Sequence, residues 1–140
     1  MTRVVLDTNI IISGRLWGGA PRQIMQAIGD QKFKPIISEA LLEELTEVLG
    51  RPKFAERQQK IERTPAQIVE EYLQIAEVVE PVTFSQTIVE ADPDDDAVIA
   101  CAVGGQADAV VTGNIHLLNL GSYETIHIWD VHQFLAFLSD

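Results

Sequence analysis

Cysteine is nearly absent from this 140-residue chain: Cys101 is the only one. A lone thiol leaves no internal disulfide, and its place in an apolar helical run marks it as a small buried group rather than a nucleophile. Lysine and arginine are scarce, 10 against 21 Asp and Glu, so the formal charge is −11. That balance argues against a broad basic surface as the source of any nucleic-acid affinity. Carboxylates gathered in one cleft can instead hold a divalent cation, which offers phosphate a positive contact even on an acidic protein. No apolar run approaches the roughly 20 residues of a membrane span. No basic leader with an apolar centre precedes "RVVLD", which places the chain in the cytoplasm. Repeats, linkers and low-complexity tracts are missing too, and the length suits a single domain over 1–140.

What is present is an alternation of short apolar runs with longer amphipathic ones. "VVL" at 4–6 reads as a buried strand that stops at Asp7, and "APRQIMQAIGD" as a helix opened by proline. "KPIIS" is a strand whose Ser38 can cap the helix "EALLEELTEVL", which ends at Gly50 and Pro52. A short basic helix follows, then a helix with a capping-box start at Thr64, Pro65 and Gln67. "EVVEPV" is a candidate strand, "ADAVVTGN" reads as strand then turn, and "TIHIW" as a strand before a helix capped by Asp130. The pattern predicts an α/β fold with a mainly parallel sheet covered by helices. In such sheets functional groups gather beyond the carboxyl ends of the strands, where strand order reverses. Asp7, and Thr112 to Asn114, therefore become candidates, with Thr8 and Asn9 placed near the first carboxylate.

Helical geometry selects a second acid. Leu41, Leu42, Leu45, Val48 and Leu49 form one apolar stripe. Glu44 falls roughly 100° from its centre, at the boundary, whereas Glu43 falls roughly 160° away and faces water. Glu39, Glu43 and Glu47 read as a solvated face. The third concentration of acid is "EADPDDDAVIACA", residues 90–102, where Pro93 makes a turn and Asp94 to Asp96 occupy a helix start. One aspartate suffices for a cap. Four within five residues repel one another unless water or a divalent metal neutralises them. "GRPKF", followed by Arg57 and Lys60, is a local basic cluster that reads as a solvated surface or as a nucleic-acid contact.

"VVLDTNIIISG", "ISEALLEELTEVLGRPKF", "DPDDDAVIACA" and "ADAVVTGNIHLL", in this order and spacing, resemble PIN-domain proteins over nearly the whole chain, with VapC-type toxin components as the nearest likeness. The resemblance implies a PIN-like α/β/α sandwich and a metal-dependent endoribonuclease that uses Mg²⁺ or Mn²⁺ on RNA phosphodiesters. It also implies a small antitoxin partner and pairing into a homodimer, with no membrane. Carried onto this chain it assigns Asp7, Glu44 and Asp95 as metal ligands, with Asp96 adjacent to Asp95 and Asp92 competing for the same role. Thr8 and Thr112 match polar positions that shape the site, and Asn9 stands beside them. Asn114 occupies a catalytic position where similar proteins carry aspartate, which admits an alternative: a catalytically weakened module that binds RNA or a protein without turnover. His116, His127 and His132 are read as surface or structural groups. Leu16, Trp17 and Phe54 are apolar residues available for partner contacts or for the core. An aspartate-phosphorylated protein is disfavoured, because position 9 is Asn where the phosphatase class needs a second aspartate.

Overall fold

The computed structural model describes residues 1–89 and 95–140. Glu90, Ala91, Asp92, Pro93 and Asp94 lie outside them, and with them the expectations placed on Asp92 and Asp94.

Chain order is β1 (Arg3–Leu6), α1 (Thr8–Leu16), α2 (Ala20–Gly29), β2 (Lys34–Ile37), α3 (Glu39–Leu49), a 3₁₀ turn (Pro52–Phe54), α4 (Ala55–Lys60), α5 (Pro65–Ile75) and β3 (Glu77–Val78). After the undescribed stretch come α6 (Asp96–Gly104), β4 (Ala109–Val111), α7 (Ile115–Leu118), β5 (Ser122–Tyr123), β6 (Ile126–Trp129) and α8 (Val131–Ser139). Among the described residues the strands form one sheet in the order β3-β2-β1-β4-β6-β5, parallel except for the β5–β6 pair. Val4, Val5 and Leu6 are all buried although successive strand residues point to opposite faces, so both faces of β1 are covered. That is the expected α/β/α arrangement.

The helix starts follow their local chemistry. Ser38 accepts the Leu41 amide at the head of α3. Thr64 with Gln67, and Asp130 with Gln133, complete reciprocal capping boxes on α5 and α8. Leu41, Leu45, Val48 and Leu49 are buried, as the α3 stripe requires, while Glu39, Glu43, Glu44 and Glu47 are exposed.

The structure departs from the sequence reading in several places. The segment after Asp7, given no element of its own by the pattern, is a helix, α1, in which Ile10, Ile11, Ile12 and Leu16 are all buried. A run apolar on several sides gives no clean 3.6-residue signature, which is why periodicity misses it. Leu16 is thereby removed from the candidates for a partner contact. "EVVEPV" yields only the two residues of β3, because its onward chain turns to hydrogen-bond α6 instead: the Val82 amide donates to the Ala100 carbonyl at 3.1 Å. The turn expected at Asn114 is the start of α7, and β5 joins as a short antiparallel edge strand that its two residues could not signal.

Close approach sets the α6 end. A Cβ added at Gly104 would lie 2.0 Å from the Glu80 carbonyl oxygen and 2.8 Å from Pro81 Cα. Only glycine fits there without moving backbone.

Candidate active site

Strand order runs outward in both directions from β1 and β4: β2 and β3 lie on one side, β6 and β5 on the other. Leu6 pairs with Val111, so the residues that follow, Asp7 and Thr112, emerge side by side at the carboxyl ends of the two strands where the order reverses. The Asp7 amide still donates to the Val111 carbonyl at 2.9 Å, and the Thr112 amide to the Trp129 carbonyl at 3.0 Å. The sheet therefore fixes both residues by their main chains before any side-chain contact is made.

Asp7 is the residue preceding α1, with its carbonyl accepting the amides of Ile10 and Ile11. Its side chain does not cap the helix. It is buried, 7% exposed, and Oδ2 accepts the Thr112 hydroxyl at 2.7 Å. The same hydroxyl oxygen accepts the Asn114 amide at 3.0 Å, which orients its proton toward Asp7. None of the ion pairs among the described residues includes Asp7. A buried carboxylate whose protein partner is a hydroxyl is electrostatically incomplete, because burial of a charge is costly without an opposite charge.

Glu44 comes to the same edge by a different route. β2 lies beside β1 and feeds α3, whose sixth residue is Glu44. The buried Thr8 hydroxyl donates to Glu44 Oε1 at 3.1 Å, so the residue next to Asp7 in sequence ties the α3 carboxylate to the start of α1. Glu43 and Glu44 are both exposed, and it is Glu44 that receives the Thr8 hydroxyl. Asn9, in contrast, is exposed, the second residue of α1.

Asp95 sits at the N-cap of α6 without a side-chain cap bond, half-buried, on a helix that leads directly into β4. A helix that returns to the start of a parallel strand has its own start near the carboxyl edge, and this brings Asp95 to the end of the sheet that carries Asp7. Asp96 behaves differently from the expectation that the helix-start carboxylates serve the free amides of their own helix. Its two oxygens accept the Ile88 and Val89 amides at 2.9 and 2.7 Å, stitching the incoming chain to the first turn of α6. Both oxygens being engaged, Asp96 is built as a clamp. Its position in sequence could not reveal this, since the amides it satisfies lie seven and eight residues upstream.

Asn114 places its carbonyl oxygen on the His116 amide at 2.8 Å and caps α7. Its contribution at Asp7 passes through its main-chain amide and Thr112. His116, His127 and His132 are exposed, with the His127 ring stacked on Trp129 at 4.8 Å.

The donors gathered here are carboxylate and hydroxyl oxygens, the kind that suit Mg²⁺ or Mn²⁺. Among the described residues no group of three or more His, Cys, Asp or Glu is arranged to hold a metal ion. The donor chemistry and the uncompensated charge of Asp7 fit a hard divalent cation.

Away from this edge, the Cys101 thiol contacts Ser38, and burial pushes it up to about 11. Tyr72 is fully buried, its hydroxyl without a hydrogen-bond partner among the described residues, and burial raises its pKa as well.

A family model described as PIN domain matches residues 3–116. No curated protein matches the chain. Among solved structures, VapBC2 from Rickettsia felis, bound to a DNA fragment from their promoter, superposes with a TM-score of 0.57 at 16% identity, covering 92% of this chain and 98% of that one. PAE2754 from Pyrobaculum aerophilum superposes with a TM-score of 0.59 at 14% identity, covering 99% of this chain and 90% of that one. At these identities the likeness is one of fold.

Proposed function

Since the chain belongs to the PIN-domain family, we propose that it is a divalent-metal-dependent endoribonuclease and the toxin half of a toxin–antitoxin pair. The observation that carries this reading is the buried Asp7 carboxylate at the β1/β4 crevice, held by Thr112 and outside every ion pair among the described residues. Asp7, Glu44 and Asp95 would hold Mg²⁺ or Mn²⁺. A divalent ion bound there supplies Lewis-acid stabilisation of charge on the phosphate oxygens and a more acidic bound water.

The chain's own residues prepare that chemistry. Thr112 holds one Asp7 oxygen in place and remains a donor because Asn114 occupies its acceptor side. Thr8 fixes the Glu44 carboxylate against the first turn of α1. Positioning of this kind reduces the reorganisation needed when charge develops on the substrate. Asn114 adds no negative charge and spends its carbonyl on α7, so a second cation would be held weakly.

That last point supports the second reading, a PIN-fold module that binds RNA or a partner without turnover. A small antitoxin fits the assignment because the R. felis neighbour is a VapBC pair, and pairing of two copies belongs to the same proposal. The test is cleavage of single-stranded and structured RNA by the purified chain with Mg²⁺ or Mn²⁺, against Asp7→Ala. Metal-dependent cleavage lost in the variant supports the enzyme. If RNA stays intact and Asn114→Asp does not restore cleavage, the catalytic reading falls and the binding module stands.

A further inference from the structure

The pair α1 and α3 carries the Thr8–Glu44 bond near the start of α1, and its other end has a different chemistry. Beyond α1, Trp17 is 41% exposed and packs against Phe54 of the 3₁₀ turn, ring centroids 5.9 Å apart and inclined by 59°. Lys53 Nζ stands 5.1 Å from the Phe54 ring centre. The Arg57 guanidinium donates to the Leu16 carbonyl at 2.5 Å, fastening α4 to the end of α1 and so fixing the two rings relative to each other. Nine helical residues separate Asp7 from Trp17, an axial length of about 14 Å.

Charge singles out the same place. Five of the chain's ten Lys and Arg fall between Arg51 and Arg63; with Arg15 they outnumber Glu47, Glu56, Glu62 and Glu71 by six to four, on a protein whose formal charge is −11. Several of these cations are held by neighbours: Arg51 by Glu47, Lys60 by Glu56, and Arg63, with Arg15, by Glu71. Lys53 is exposed and lies over an aromatic ring. An exposed ring, Trp17, backed by a half-buried one, Phe54, and flanked by a cation is the chemistry of single-strand recognition, in which bases stack and phosphates meet ammonium or guanidinium groups. A second protein would need the rings alone; the local excess of cations on an acidic molecule favours a polyanion.

We propose that Trp17 and Phe54, with Lys53 beside them, form a docking platform for single-stranded RNA that feeds the acidic crevice along the α1–α3 pair. The proposal rests on the ribonuclease reading for its substrate class, yet it is tested without turnover. Binding of a labelled single-stranded oligoribonucleotide of about eight nucleotides is followed by fluorescence anisotropy on the full chain in EDTA. Trp17→Ala should weaken binding about tenfold with the salt dependence retained, as loss of one stacked base does. Lys53→Ala should weaken it too, and flatten the slope of log affinity against log salt by roughly 0.7. Trp17 and Trp129 are the only tryptophans, so in a Trp129→Phe background the RNA should quench the emission of Trp17 without any change at the platform itself.

Unchanged affinity in both variants, or no quenching, overturns the platform even if cleavage with metal persists. Loss of a dimer's molar mass by light scattering in Trp17→Ala, with RNA affinity intact, identifies the face as a protein interface and overturns it as well. Quenching and weakened binding in a chain that never cleaves RNA would leave the platform standing while the catalytic reading fails.

Discussion

At Asp7, charge, burial and one hydroxyl meet, and two substitutions separate their roles. Asp7→Asn replaces a buried carboxylate that no cation among the described residues pairs with. It should therefore raise the melting temperature in EDTA while reducing cleavage at least about a hundredfold, the size seen when a charge-stabilising group is lost. Thermal melts and single-turnover cleavage check the two halves. Thr112→Val keeps the shape and deletes the donor to Asp7; partners of this kind are worth about 10–100-fold in metal affinity or activity. Calorimetric titration with Mn²⁺ reads that loss directly. Asn114→Asp preserves a capping oxygen for His116 and adds a charge beside the crevice, so it should tighten metal binding with little change in stability. Asp7 and Glu44 were legible as residues because one ends a strand and the other sits at the edge of an apolar stripe. The clamp formed by Asp96 was not legible, because its partners are amides brought close only by the path of residues 82–89 along α6.

Elements that announce themselves locally are the ones the sequence predicts well. Ser38, Thr64 and Asp130 cap their helices with partners three residues away, and such signals survive in a single chain because they need no tertiary contact. Ser38→Ala should cost about 1 kcal/mol for the lost cap. It has a second contact with the Cys101 thiol, so denaturant unfolding should place it at the upper part of the range for capping residues. Gly104→Ala is expected to do more damage, about 1–3 kcal/mol as overpacking, since the new methyl meets the Glu80 and Pro81 backbone rather than a side chain that can swing away. Elements made by burial on several sides are harder to read. α1 carries apolar residues at 10, 11, 12 and 16, and β3 and β5 have two residues each; periodicity has nothing to register in either case.

The whole molecule is a mainly parallel sheet closed over by helices, and its buried groups include two that must stay neutral. Cys101 is pushed up from an ordinary value of 9.0 to about 11, and Tyr72 also rises above its ordinary 10.0, both by burial. A raised acid binds its proton longer in the folded state than in the unfolded one. Stability from this source is intact below pH 9, where both states are protonated, and declines between pH 9 and about 11 as only the unfolded chain releases protons. Denaturant midpoints measured from pH 7 upward should be level to near pH 9 and fall beyond it, with Cys101→Ala showing a shallower fall. For the same reason, iodoacetamide should label Cys101 slowly in the native protein at pH 8 and readily after unfolding. No helix among the described residues is long and apolar enough to cross a membrane.

By itself the sequence determined the α/β alternation, the helix starts, and which acids stand at strand ends or stripe edges, because these depend on neighbours within a few residues. Tertiary structure alone decided which hydroxyl each of those acids meets: the β1–β4 pairing sets Asp7 beside Thr112, and the fall of α3 against α1 gives Thr8 to Glu44. Hydrogen bonds between residues 36 and 105 positions apart are fixed by strand order and helix packing, which leave no local trace in composition or period.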